Sequence, residues 1–192
     1  MILWIRGILV LLVLVAISLA GCDSNPNTPT SASTPIGDYE PSIPFTSAAF
    51  INNQPIPQKH SCDGADVSPP LQWGDTLPDV RSFALIMDDP DASGGTYVHW
   101  VVYNLPPTAR SLPEGIRPDL EIEGGGLQGS NDSNVMGYGG PCPPGGTHHY
   151  HFKLYALSTP VDLPAGATKQ QLEQAMKGHV LAYGELVGTY SR

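Results

Sequence analysis

Gly137-Tyr138-Gly139-Gly140-Pro141-Cys142-Pro143-Pro144-Gly145-Gly146-Thr147-His148-His149-Tyr150-His151-Phe152-Lys153-Leu154-Tyr155-Ala156-Leu157 passes from a glycine- and proline-rich segment into a run of aromatic and aliphatic residues. Up to Tyr150 it contains no Asp, Glu, Lys or Arg, only small residues, rings and imidazoles, which is the composition of a pocket wall. From His149 to Leu157 it reads as a strand of a buried sheet. Side chains alternate along a strand, so His148 and Tyr150 face one way while His149 and His151 face the other. Only one of these pairs can line a pocket.

Working outward, Arg81–Met87 and Tyr97–Asn104 are two further short runs of apolar, β-branched or aromatic residues bounded by Pro, Gly and Asp, again strands of a buried sheet. The 21 glycines and 20 prolines fall mostly between such runs and imply long connecting loops, as in a β-rich domain. One helix is expected near the end: Thr168 with Gln171 forms a capping box, and Leu172, Ala175 and Met176 recur on one face before Gly178. Core packing accounts for Leu172 and Met176. Glu185–Tyr190 reads as a closing strand.

Two upstream segments belong with the glycine-rich wall: Met87-Asp88-Asp89-Pro90-Asp91-Ala92-Ser93 and Val98-His99-Trp100. Together they offer backbone N–H groups, imidazoles, carboxylates and a phenol, a mixture suited to a small anion. Asp89-Pro90-Asp91-Ala92-Ser93, His99, and Gly140-Pro141 leading into Gly146-Thr147-His148-His149-Tyr150 resemble the signatures of the phosphatidylethanolamine-binding proteins, also called Raf kinase inhibitor-like proteins, and most closely their bacterial branch. The resemblance runs from Phe45 to the C-terminus and includes Ser68-Pro69-Pro70-Leu71 with Trp73, and Gly188-Thr189-Tyr190-Ser191-Arg192. One position departs: the first signature ends in Ser93 where the family has proline.

The resemblance implies a mostly β fold, a Greek-key β-sandwich with a few peripheral helices, and one anion pocket. It assigns His148 and Tyr150 to that pocket, joined by His99, Asp89, Asp91, Gly140 and Pro141. In this reading His99 and His148 donate to the anion, and Asp89 and Asp91 orient them. Gly140 and Pro141 shape the wall and Tyr150 flanks it. A carboxylate accepting from one imidazole nitrogen fixes the tautomer and favours imidazolium. Gly140, lacking a side chain, lets a ligand approach the backbone. Asp89 and Asp91 also suit an Asx-turn around Pro90. The implied function is non-enzymatic binding of a phosphate or phospholipid head group, with a protein-interaction module inhibiting a protease or kinase as the alternative.

The first 21 residues have the layout of a secretory signal: Arg6, an apolar run from Ile8 to Ile17 too short for a secure span, and a small-residue ending. Leu19-Ala20-Gly21-Cys22 resembles a bacterial lipobox, in which Cys22 is acylated and holds the chain on the extracytoplasmic side of a membrane. Residues 22–44 have almost no large apolar side chain and are expected to be a disordered tether, leaving 45–192 as one domain. With Cys22 committed to lipid, Cys62 and Cys142 remain as a disulfide or as two separate buried thiols. The formal charge of −9, with 9 Lys and Arg against 18 Asp and Glu, excludes a nucleic-acid partner because no basic cluster is present. No Cys-x-x-Cys, third ligand beside His149-x-His151, G-x-S-x-G elbow or phosphate-binding loop supports a metal, a hydrolase or a nucleotide cofactor.

Overall fold

The structure, a computed structural model, describes residues 40–75 and 77–192. The expected signal segment 1–21, the expected acylation site Cys22 and most of the expected 22–44 tether lie outside the described residues.

Among the described residues nine strands and one α-helix follow in order: β1 (Phe45–Ser47), β2 (Gln54–Pro55), β3 (Leu71–Trp73), β4 (Ser82–Asp89), β5 (Tyr97–Leu105), β6 (Ser111–Leu112), β7 (Leu127–Gln128), β8 (Thr147–Leu157), α1 (Lys169–Met176) and β9 (Val180–Ser191). They form a three-stranded sheet, β1-β3-β6, and a six-stranded sheet, β2-β9-β8-β4-β5-β7. The antiparallel pair β4–β5 lies beside the antiparallel pair β8–β9 through the contact of β4 with β8. The expected mostly β architecture is what forms. Of the peripheral helices, α1 and one 3-10 turn at Gln58–His60 are present among the described residues.

Every position of β4 is buried, the mark of a strand covered on both faces. Phe83, Leu85 and Met87 join Phe152 and Leu154 in a core shared with Phe45, Leu71 and Trp73 of the small sheet. Ala84 and Ile86 take the opposite parity and meet Leu172 and Met176 of α1 in a second core. The large sheet therefore has a front face under the small sheet and a back face under α1. The helix starts at the expected box: Thr168 Oγ1 accepts from the Gln171 N–H at 3.3 Å, and Gln171 Oε1 accepts from the Thr168 N–H at 2.9 Å. Such a cap contributes about 1 kcal/mol.

Two boundaries differ from expectation. Ile43, assigned to the tether, is buried, and the Ser42 and Ile43 N–H groups donate to the Tyr183 carbonyl, so packing starts before Phe45. The closing strand begins at Val180 rather than Glu185 and pairs with β8 along almost its whole length. Gly184 conceals this in the sequence. A Cβ there would lie 2.8 Å from the Ile43 carbonyl oxygen, so the glycine marks a close backbone approach, not a strand end.

Candidate functional site

The front face ends in a cleft of about 580 Å³, lined at its base by Asp89, His99, His148 and Tyr150. Three strands contribute. β8 delivers His148 and Tyr150 by simple alternation, on the same parity as the core residues Phe152 and Leu154. β4 delivers Asp89 one pleat beyond Met87. His99 arrives differently. In the β4–β5 ladder Met87 faces Trp100 and Asp88 faces Val98, so the register skips His99. Val98, Val101 and Tyr103 belong to the back core and Trp100 and Val102 to the front one. The irregularity turns His99 to the front beside Trp100, as bulges do where a side chain must be re-aimed. Asp132 holds that bend: its Oδ2 accepts from the Val98 N–H at 2.7 Å, and its own N–H donates to the Val98 carbonyl.

The two imidazoles are oriented by different partners. His148 Nδ1 lies 2.7 Å from Asp89 Oδ2, and when protonated it forms an ion pair there and donates outward from Nε2. His99 Nδ1 lies 2.7 Å from the Gly139 carbonyl oxygen, while the Gly139 N–H donates back to the His99 carbonyl at 2.9 Å. A carbonyl only accepts, so Nδ1 carries the proton. Burial pushes the His99 pKa down, against the Gly139 hydrogen bond and the charges of Asp89, Asp88 and Asp132. The expected donor role for His99 is therefore reversed in its neutral form, where Nε2 is an acceptor. Between the imidazoles lies Tyr150, whose ring meets that of His99 edge-on at 5.2 Å. Its hydroxyl is buried beside the Asp89 carboxylate and the Cys142 backbone but makes no well-formed hydrogen bond among the described residues. Burial, reinforced by the charge of Asp89, pushes its pKa far up, so it remains a neutral donor.

The glycine-rich segment forms the adjoining wall. The Gly140 N–H donates to Asp66 Oδ1 at 2.7 Å and the Tyr138 hydroxyl to the His60 carbonyl at 2.6 Å. A disulfide joins Cys62 to Cys142 across 80 residues, with a Cα–Cα distance of 5.5 Å. The wall is thus braced against the 60–66 loop, and the C-terminus adds a further tie through the Arg192 guanidinium and the Tyr190 hydroxyl on Asp63. Gly140 is needed for this packing. A Cβ there would lie 2.3 Å from the His60 carbonyl oxygen, so its missing side chain makes room for the neighbouring loop.

Asp89, His99, Gly140, His148 and Tyr150 all line the cleft; Asp91 and Pro141 do not. Asp91 Oδ2 accepts from the His149 N–H at 2.8 Å and lies 2.7 Å from His149 Nδ1 on the exposed side of β8, which holds its carboxyl below the usual range. Its own N–H donates to Asp89 Oδ1 at 2.8 Å, the Asx-turn that Pro90 suggests. Pro141 is buried, and its carbonyl accepts from the Cys62 N–H. The lining residues that were not anticipated include Asp66, Tyr97, Asn131 and Asp132. The polar run Ser130-Asn131-Asp132-Ser133 is a turn-like signal, but nothing local ties it to a strand 30 residues away.

The described residues thus form a β-sandwich with a polar cleft at the end of its front face. The chain belongs to the phosphatidylethanolamine-binding protein family, whose model matches residues 46–191. It is 49% identical over 150 residues to a UPF0098 protein of Pyrococcus horikoshii, covering 76% of this chain and 75% of that one. It is 42% identical over 165 residues to a Mycobacterium tuberculosis protein provisionally named lipoprotein LppC, covering 85% and 79%. Among solved structures it resembles a phosphatidylethanolamine-binding protein homolog of Chlamydia trachomatis (TM-score 0.73, 40% identity, 80% and 99% covered). It also resembles YbcL of E. coli (TM-score 0.72, 30% identity, 78% and 98% covered).

Proposed function

We propose that this chain is a non-enzymatic binding protein whose front cleft takes a small phosphate-bearing anion, such as a phospholipid head group. The Tyr150 hydroxyl carries the reading. It is buried and makes no well-formed hydrogen bond among the described residues, so a ligand atom in the cleft would supply it with an acceptor. Protonated His148, held by Asp89, supplies a charge-assisted donor beside it. Two or three such bonds suffice for weak to moderate affinity. Cys22 would hold the domain to the extracytoplasmic face of a membrane, a reading supported by the lipobox and by the relative named as a lipoprotein. Among the described residues no helix is long and apolar enough to cross a membrane.

Calorimetric titration with phosphate, phosphoethanolamine and a phosphorylated tyrosine tests this. Saturable binding, abolished in a folded His99→Ala/His148→Ala variant, with the ligand recovered unchanged, is the expected result. No binding by the folded wild type would move the assignment to protein–protein interaction.

A further inference from the structure

The cleft is an unusual place for a fully ionised anion. Its lining contains no Lys or Arg, and it includes the carboxylates of Asp66, Asp89 and Asp132. Each carboxylate already accepts a backbone N–H: Gly140 on Asp66, Asp91 on Asp89 and Val98 on Asp132. The donors at the end of β8 are His148 when protonated and the Tyr150 hydroxyl, and the hydroxyls of Ser93 and Thr96 also line the cleft. His99 sits among them with its Nδ1 proton spent on the Gly139 carbonyl. Its second nitrogen has no partner among the described residues and, in the neutral ring, presents a lone pair.

Resting on the anion-binding reading above, we propose that His99 is the specificity residue of the cleft. Its Nε2 accepts a hydrogen bond from the ligand, so the cleft selects oxyanions that still carry a proton over oxyanions that carry none. A phosphate or phosphomonoester monoanion meets this pattern from both sides. Its charged oxygens accept from His148 and Tyr150, while its P–O–H donates to His99. Sulfate has the same tetrahedral shape but no proton near neutrality, and it would set an oxygen lone pair against that of Nε2.

The surroundings of His99 keep the ring in this role. Tyr97 of its own strand lies tilted against it at 4.9 Å and Tyr150 of β8 edge-on at 5.2 Å, so both flanks are aromatic. The charged groups near it are Asp89 and Asp88 from β4 and Asp132 from the loop after β7, and burial outweighs all three in setting its proton affinity. The bulge and the two-way hydrogen bonding with Gly139 leave the ring little freedom to present Nδ1 instead.

The test is a pair of calorimetric titrations of the full chain in detergent solution, with inorganic phosphate and with sulfate, across the pH range in which the dihydrogen phosphate monoanion loses its next proton. A 15N–1H spectrum of the His99 imidazole in each mixture accompanies them. At the acid end phosphate is expected to bind at least about tenfold tighter than sulfate, the worth of one hydrogen bond to a charged group. The preference narrows as phosphate ionises, and His99 in the complex carries a proton on Nδ1 alone. Equal affinity for the two anions, or a doubly protonated His99 in the complex, overturns the selectivity while leaving the anion cleft standing. If neither anion binds the folded chain, the cleft reading fails and the selectivity fails with it.

Discussion

Asp88 and Asp89 are neighbours in one strand, yet the pleat sends them to opposite faces of the sheet and into opposite tasks. On the back face, the fully buried Asp88 carboxylate receives two ammonium groups, Lys153 from β8 at 2.8 Å and Lys169 from α1. Its charge is neutralised more than once and nothing is left for a ligand. On the front face, Asp89 meets one imidazole and one backbone N–H, in a cleft where the Tyr150 hydroxyl makes no well-formed hydrogen bond among the described residues. The same residue type is saturated where it docks a helix and under-satisfied where it shapes a pocket. Completeness of hydrogen bonding, rather than the presence of charge, separates the structural site from the binding one.

Substitutions can break this contrast. Asp88→Asn should give the largest effect, a loss of about 3 kcal/mol in denaturant unfolding, because two ammonium groups lose their counter-charge; both keep partial access to water, which places the value at the low end for buried pairs. Phosphate affinity of the protein that remains folded should not change. Asp89→Asn should do the reverse. Asn keeps an acceptor for the Asp91 N–H but loses the charge opposite His148, so affinity falls about tenfold while stability shifts by less than about 1 kcal/mol. A large loss of stability in Asp89→Asn with unaltered binding would show that both carboxylates are structural.

The smallest effect expected is a pH slope. Because burial lowers the His99 pKa in the folded state, the unfolded chain takes up that proton first as pH falls below about 6.5. The neutral-His99 contribution to stability is thus complete above that pH and declines as pH falls toward the folded-state pKa. His99→Gln should flatten this part of the stability curve. An unchanged slope would mean that another group sets it.

Much of the front face was legible in the sequence because alternation is local. His148 and Tyr150 share a parity with Phe152, so once β8 is recognised the pair falls on one side. The capping box at Thr168 is equally local. His99 was legible only through the family signature: counting from Val101 and Tyr103 would put it on the back face, and the bulge that re-aims it depends on Asp132, which no short-range pattern links to Val98. Gly140 looked like an opening for a ligand, whereas the loop at His60 fills the space beside it. Asp91 carried the signature but pairs with His149, a partner 58 residues away in the chain. Residues set by one strand were readable; residues set by a long-range contact were not.

The most direct test of the account is Tyr150→Phe, followed by both unfolding stability and phosphate affinity. A hydroxyl kept for a ligand predicts a free protein at least as stable as the wild type, since an unsatisfied buried group has been removed, together with phosphate affinity about tenfold weaker. A destabilised protein with undiminished affinity would contradict it and make Tyr150 a core residue only.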